Sequence, residues 1–237
     1  MVFVSPSTDA PLLTGRQAPV YDPIPSGRSV SGRLSMPSSK SLTQRYLALA
    51  LLAGRDLRVE RPLLSDDPRR FLGALAVAGF RVTVEDGASA AGGAVELGAP
   101  VGSSPESSTA SGVVRSIDCG AGGTMLRLLT AVLTAVPGRW RLDGVPRLRE
   151  RTVAPLLASL RRLGARIQCL EAEGFAPLLI EGGSLDGGQT TLDAGASSQF
   201  LSALLLAGTA ARRPITVEVA HLGSDPYVDL TGQAIRE

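Results

Sequence analysis

Three apolar helical runs dominate the pattern of hydrophobic and polar positions in this chain. They cover residues 46–52, 126–136 and 200–207, and small polar residues precede each run. A short β-type run follows each helix, at 57–59, 140–142 and 215–219, and a second helical run begins about 27 to 29 residues after the start of the first. Recurrence at a fixed spacing predicts an internal repeat of helix, strand, helix and further strands.

The repeat predicts an α/β fold made of similar units. Residues 78–82 (AGFRV) parallel residues 163–167 (LGARI), and in both strings a glycine is expected to end a helix before a strand. Glycine pairs at 92–93 and 182–183 predict hairpins. We expect units at about 37–115, 116–190 and 191–237 after an irregular segment, 1–29. The third unit stops inside its second helix, so the chain is interpreted as one part of something larger.

Composition narrows the class of protein. The chain is 44% hydrophobic and 19% charged with a net charge of +2, which gives no reason to expect nucleic acid or a membrane surface as a partner. No apolar run approaches the roughly 20 residues that span a bilayer, and no signal peptide is evident, so a cytoplasmic protein is expected. Two cysteines without metal-ligand spacing and a single histidine make a zinc site an unfavoured hypothesis.

The helix starts favour an anion site. Lys40 is the only lysine among 24 Lys and Arg residues, and it stands at the first of these starts. Serine, threonine and glycine at a helix N-terminus let an anion approach free backbone N–H groups. If the three starts converge, they would hold a small substrate with several negative charges, with Arg45, Arg127 and Arg147 nearby. The alternative is that these residues only cap helices and that the arginines are solvated.

Five ordered motifs resemble those of the EPSP synthase family. They are PSSKS at 37–41 with Arg45, DCGAGGT at 118–124 with Arg127, PRLRER at 146–151, SSQFL at 197–201 and SDPY at 224–227. The resemblance runs from about residue 30 to the end. Any one of these motifs alone would be weak, whereas five in order are specific.

The resemblance implies a fold and a reaction. Enzymes of this family have two lobes, each of three βαβαββ units around a pseudo-threefold axis, with the active site between them. This chain would be the N-terminal lobe, at 37–237, with 30–36 as a strand of the second lobe. The implied reaction moves the enolpyruvyl group of phosphoenolpyruvate to shikimate 3-phosphate, by addition and elimination, without a metal or organic cofactor. The full-length protein is expected to be a monomer, and the second lobe to lie in the same or a partner chain.

The resemblance also implies site residues. Lys40 matches the catalytic lysine that contacts both substrates. The other residues expected to bind shikimate 3-phosphate are Ser41, Arg45, Ser197, Ser198, Gln199, Ser224 and Tyr227. Gly123, Arg147 and Gln199 are expected to bind phosphoenolpyruvate, since a glycine without a side chain leaves room for that ligand. Core packing is the alternative for Tyr227. Arg127 is interpreted as structural, and Arg149 and Arg151 are expected to make structural or surface ion pairs.

Some positions depart from the family pattern or stay without a role. Ser38 replaces a glycine, Ala121 replaces an asparagine, Tyr46 takes a place that is usually small, and Asp225 stands where a cation is common. His221, Cys119 and Cys169 are assigned no chemistry.

Two other functions remain open from the sequence alone. One is a non-catalytic substrate-binding lobe of a split or truncated enzyme, and the other is the sister enzyme that acts on UDP-N-acetylglucosamine.

Overall fold

The computed structural model describes residues 38–85, 93–100 and 112–237. The described residues belong to one compact unit. The expected irregular segment 1–29 and the expected strand 30–36 therefore lie outside the described residues. Within the described ranges, no helix is both long enough and apolar enough to cross a membrane.

Helices and strands alternate along the unit. The first stretch contains α1 (Lys40–Ala53), β1 (Leu57–Glu60), α2 (Asp66–Val77), β2 (Arg81–Val84) and β3 (Ala94–Gly98). The second contains β4 (Val114–Asp118), α3 (Gly123–Val132), β5 (Gly138–Asp143), α4 (Pro146–Arg149), α5 (Ala154–Arg162), β6 (Arg166–Cys169) and β7 (Leu178–Gly182). The third contains β8 (Gly188–Ala194), α6 (Gln199–Gly208), β9 (Ile215–Leu222) and α7 (Pro226–Arg236).

Each stretch forms its own sheet. The first sheet has the order β1-β3-β2 and is antiparallel. The second has the order β4-β5-β7-β6, in which only β4 and β5 are parallel. The third pairs β8 and β9 in parallel. The fold is thus mixed α/β, as the sequence predicted.

The two hairpin predictions have different outcomes. β2 and β3, on either side of the first glycine pair, are antiparallel partners, although Gly92 itself lies outside the described residues. The second prediction is wrong, because Gly182 ends β7 and the chain continues to β8, which pairs in the next sheet. The hairpin of the second stretch instead joins β6 to β7 through residues 170–177. Turn chemistry does not say which strand the chain pairs with afterwards.

The first helix of each stretch lies at the centre of the core. α3 and α6 pack against each other, and α1 contacts both. Their apolar faces are closed to solvent, as at Leu47, Leu126 and Phe200. Burial at roughly 25 cal/mol per Å² of apolar surface makes this packing the main stabilising contribution of the helices. The starts of these three helices are consequently held by a rigid core.

Local capping determines several helix ends. Ser39 caps the start of α1, because its Oγ accepts a hydrogen bond from the Leu42 N–H at 3.3 Å. Gly79 and Gly164 have φ of 99° and 92°, a region that side chains disfavour, which confirms the predicted glycine ends of α2 and α5.

The start of α2 differs from what its residues predict, since Asp66 and Asp67 ahead of Pro68 are typical of capping residues with the proline at the first helical position. Ser65 is the capping residue, and Asp66 and Asp67 lie in the first helical turn, ahead of Pro68 rather than outside the helix. Carboxylates in that turn still interact favourably with the positive end of the helix dipole. Asp67 is thereby free to reach the neighbouring helix.

Candidate active site at the helix starts

The starts of α1, α2 and α3 lie side by side. Lys40 Nζ, at the start of α1, is 3.1 Å from Asp67 Oδ2, at the start of α2. A Cβ atom built on Gly122, which precedes α3, would lie 3.2 Å from the other Asp67 oxygen, Oδ1. Asp67 therefore links the predicted catalytic lysine to the glycine loop, a contact that the sequence reasoning did not foresee.

The starts of α3 and α6 are joined by side chains. Arg127 Nη1 donates to Gln199 Oε1 at 2.6 Å and to Ser197 Oγ at 3.3 Å. Gln199 Nε2 donates to Thr124 Oγ1 at 2.9 Å. Two residues expected at the substrate site, Ser197 and Gln199, are thus held by α3. We call the following set the helix-start cluster: Lys40, Asp67, Gly123, Arg127, Arg151 and Gln199.

Arg151 completes this cluster. A Cβ atom on Gly123 would lie 2.7 Å from Arg151 Nη1, so the guanidinium occupies the space that the glycine leaves. Arg151 makes no ion pair with any described carboxylate, which differs from the surface ion pair expected for it. Burial lowers the pKa of Arg127, and the neighbouring Arg151 charge lowers it further.

Arg147 has different surroundings from those expected. Its side chain is 78% exposed and pairs with Glu150, the residue that follows the short helix α4. The arginine next to Gly123 is Arg151, which follows Arg147 by four residues in the PRLRER string. Three arginines at alternate positions of this string could have been the one that meets the glycine, and nothing in the sequence distinguishes them.

Arg149 is the structural arginine of that string, as predicted. It donates to Asp143 from both Nε and Nη2, at 2.9 and 2.8 Å, and also contacts Glu171. Burial raises the pKa of Asp143, but the hydrogen bonds from Arg149, from the Gly144 N–H and from Arg141 outweigh it, so the pKa lies below its usual value. This network fixes the end of β5 next to α4.

Arg45 is buried rather than solvated. It is 1% exposed, and three of its four hydrogen bonds join α1 to α6 and α7. The acceptors are Thr231 Oγ1 at 2.7 Å, Ser202 Oγ at 3.2 Å, the Tyr227 carbonyl at 3.0 Å and the Ser41 carbonyl at 2.9 Å. Burial lowers the pKa of Arg45, and no described carboxylate forms an ion pair with it. The structure gives Arg45 a role in holding helices together that the sequence did not reveal.

The remaining predicted ligands flank α6 and α7. Ser198 is buried at the start of α6, and its side chain makes no capping hydrogen bond there. Ser224 is half-buried just before α7, while the Tyr227 side chain is 48% exposed. Core packing, the alternative for Tyr227, therefore does not describe its ring. Ser41 contacts Arg45 through its carbonyl, one turn back on α1.

The positions that departed from the family pattern are free of backbone strain. Arg61 is the one non-glycine residue with positive φ in the described ranges, so Ser38 is not forced into that region.

The residues that were assigned no chemistry have ordinary surroundings. The Nδ1 atom of His221 lies 3.5 Å from Oδ1 of Asp193 on the adjacent strand. Cys119 is fully buried, and burial raises the pKa of its thiol far above the usual range.

These contacts give a surface suited to a phosphorylated or carboxylated ligand. Lys40, Arg127 and Arg151 supply cationic donors, and Asp67 is the single carboxylate recorded among them in the described ranges. The starts of α1, α3 and α6 add backbone N–H groups and the positive ends of helix dipoles. Because guanidinium groups and phosphates match in geometry, the arrangement favours a phosphate-bearing substrate.

Comparisons with known proteins agree with this chemistry. The family model for EPSP synthase (3-phosphoshikimate 1-carboxyvinyltransferase) matches residues 24–237. The chain is 38% identical to the 3-phosphoshikimate 1-carboxyvinyltransferase of Sulfurovum sp. over 210 residues, which are 86% of this chain and 46% of the relative. It is 38% identical to that of Syntrophobacter fumaroxidans over 203 residues, covering 85% and 45%. The chain thus spans about half the length of the relatives it matches.

A solved structure shares the fold. The EPSP synthase of Acinetobacter baumannii superposes with a TM-score of 0.67 at 27% identity, over 86% of this chain and 43% of that one. The family model and both relatives carry the name of the shikimate enzyme rather than that of the UDP-N-acetylglucosamine enzyme.

Proposed function

The chain belongs to the EPSP synthase family, and from that premise we propose that it takes part in transferring the enolpyruvyl group of phosphoenolpyruvate to shikimate 3-phosphate. In this reaction the hydroxyl oxygen of shikimate 3-phosphate bonds to C2 of phosphoenolpyruvate while the hydroxyl gives up its proton and C3 gains one. Phosphate then leaves C2 and a proton leaves C3, which restores the double bond. The observation that carries the proposal is the helix-start cluster. Its three cationic side chains lie at the starts of three helices, and Asp67 is the one carboxylate among them in the described ranges. Positive charge at these helix starts suits two phosphorylated substrates.

Shikimate 3-phosphate would bind along α6 and α7. Ser197 and Ser198 offer hydroxyl groups at the start of α6, where backbone N–H groups also favour an anion. Ser224 and the exposed Tyr227 ring stand just before and within the first turn of α7. Gln199 lies between this region and α3, and we assign its amide to both substrates; its hydrogen bond to Thr124 on α3 supports this assignment.

The carboxylate of shikimate 3-phosphate is assigned to Ser41 and Arg45. Arg45 already uses four of its five N–H donors within the protein, and one Nη1 N–H remains. A buried guanidinium without a carboxylate partner is uncompensated charge, so an anionic ligand near α1 would be stabilised by it. We therefore assign Arg45 two contributions to binding. Its positive charge attracts the carboxylate, and its hydrogen bonds hold α1 against α7.

Phosphoenolpyruvate would bind at Lys40, Gly123, Gln199 and Arg151. We assign Arg151 the role that the sequence gave to Arg147, because Arg151 meets Gly123 while Arg147 points to solvent and pairs with Glu150. Lys40 must exchange its contact with Asp67 for the substrate. As the bond between the tetrahedral carbon and phosphate breaks, negative charge grows on the departing phosphate, and a preorganised ammonium and guanidinium stabilise it more than they stabilise the ground state.

The second lobe, a monomeric full-length protein and a cytoplasmic location remain proposals drawn from the family. The acid and base that move protons in the reaction are assigned to no residue of this chain. A chain with the helix-start cluster alone is expected to bind shikimate 3-phosphate without turnover.

Calorimetry tests the proposal. The purified chain, shown to be folded by circular dichroism, is titrated with shikimate 3-phosphate and then with phosphoenolpyruvate. Saturable binding of shikimate 3-phosphate is expected, and no heat from a folded chain would overturn the proposal.

Two matched variants test the arginine assignment. Arg151→Gln should weaken binding of phosphoenolpyruvate about ten- to a hundredfold, since a charge-assisted pair with phosphate contributes about 1.5–3 kcal/mol. Arg147→Gln, in the same string, should leave it unchanged. The reverse result would restore Arg147 to the site.

A further inference from the structure

The amide of Gln199 is held at both ends. Its carbonyl oxygen accepts from Arg127 Nη1 at 2.6 Å, and its nitrogen donates to Thr124 Oγ1 at 2.9 Å. Arg127 is itself fixed, because Nη1 also donates to Ser197 and the guanidinium stacks on the Phe200 ring at 5.0 Å. All of these contacts cross from α3 to the start of α6.

The direction of the first hydrogen bond is decided by chemistry. A guanidinium has five N–H donors and no acceptor, so it can meet only the oxygen of an amide. A glutamine without such a partner can rotate by half a turn about its last bond and exchange oxygen for nitrogen. Thr124 does not prevent that exchange, since a hydroxyl both donates and accepts. Arg127 is therefore the residue that sets which end of the amide faces which neighbour.

This arrangement is unfavourable for a residue that only stabilises the fold. Arg127 is half-buried, forms no ion pair with a described carboxylate, and lies close enough to Arg151 for the two charges to repel. Its Nε is buried and has no partner among the described residues. Arg149, by comparison, meets Asp143 and Glu171. Burying a charge without an opposite charge costs stability.

We propose that Arg127 is a positioning residue that turns the Gln199 amide so that its remaining N–H faces the phosphate-bearing substrate. The inference rests on the proposed function and concerns the same site. With the amide reversed, a carbonyl oxygen would face phosphate oxygens, and acceptor would meet acceptor. Groups that bind a substrate are effective only when neighbouring hydrogen bonds lock them in the productive orientation.

A double-mutant cycle tests whether Arg127 acts through Gln199. Arg127→Met, Gln199→Leu and the double variant are titrated with shikimate 3-phosphate beside the wild-type chain. Arg127→Met should weaken binding about tenfold or more, which is the size of one lost hydrogen bond to a charged group. The double variant should bind like Gln199→Leu alone, because nothing remains to be positioned. Losses that multiply would overturn the inference and make Arg127 a direct ligand.

Two further measurements separate positioning from simple stability. Arg127→Met should melt at the wild-type temperature or above it, since it removes an unpaired charge, whereas a structural role predicts a lower melting temperature with unchanged affinity. Arg127→Lys, a donor-only cation, should recover part of the affinity, and it serves as the test if the Met variant fails to fold. A folded wild-type chain that binds no shikimate 3-phosphate would overturn the proposed function and this inference together, while additive losses would overturn only the inference.

Discussion

At Arg45, the substitute that resembles arginine more closely should give the less stable protein. Arg45→Lys keeps the positive charge, and Arg45→Met removes it while filling much of the same space. The guanidinium of Arg45 reaches acceptors on three elements, which are Ser41 on α1, Ser202 on α6, and Thr231 and the Tyr227 carbonyl on α7. A lysine ammonium is a point donor and cannot reach acceptors spread in this way.

The magnitude follows from opposing contributions. Four hydrogen bonds from a charged donor, at about 1.5–3 kcal/mol each, set an upper limit for the loss. Removing the charge also removes the cost of burying it, which is several kcal/mol. Thr231, Ser202 and the Tyr227 carbonyl already bond to one another at 2.9 to 3.3 Å, so they are not left without partners. We expect Arg45→Met to lose about 2–4 kcal/mol of unfolding free energy.

Arg45→Lys should lose about 1–2 kcal/mol more than the methionine variant, because it retains a buried charge with fewer partners. For a domain of this size, each kcal/mol lowers the melting temperature by about 2–4 °C. Thermal and urea unfolding, followed by circular dichroism, measure both variants. Arg55→Met, at an exposed position just after α1, is the matched control and should change little. A lysine variant more stable than the methionine variant would refute the reasoning, since charge rather than geometry would then be the stabilising factor.

Three further results are expected. Gly123→Ala should change stability by less than about 1 kcal/mol, because its methyl meets only the flexible side chain of Arg151. Binding of phosphoenolpyruvate, measured by calorimetry, should still weaken about tenfold or more as the guanidinium shifts, and unchanged affinity would contradict this. Below about pH 4 the chain should lose stability as Asp143, whose pKa is depressed from 3.8, is protonated. Asp143→Asn should flatten that dependence in urea titrations at several pH values. A thiol reagent should label Cys169 in the folded chain and Cys119 only after unfolding, as mass spectrometry would show; rapid labelling of both would place Cys119 at the surface.

Much of the local structure could be predicted because it depends on neighbours in the chain. The start of α1 follows from a serine that caps it, and the ends of α2 and α5 from glycines that adopt positive φ. The apolar runs of α1, α3 and α6 predicted three core helices, and these helices pack together. The ordered motifs also indicated the family, since each one lies within a few consecutive residues.

The pairing of strands could not be predicted in the same way. The hairpin expected at Gly182 lies instead between β6 and β7, which precede Gly182 or end at it in the chain. Strand pairing depends on the burial of side chains across the whole sheet and not on the turn alone. His221 met Asp193 for the same reason, since β8 and β9 run parallel and bring residues from distant parts of the chain opposite each other.

The start of α1, the glycine ends of α2 and α5, the charged positions and the family resemblance all follow from residue identity and from contacts within one or two helical turns. The surroundings of each arginine depend instead on tertiary packing. It placed Arg151 rather than Arg147 against Gly123, buried Arg45 between three helices, and set Arg127 against the Gln199 amide. Long side chains on one segment can point to several places, and the packing of other segments leaves one of them open.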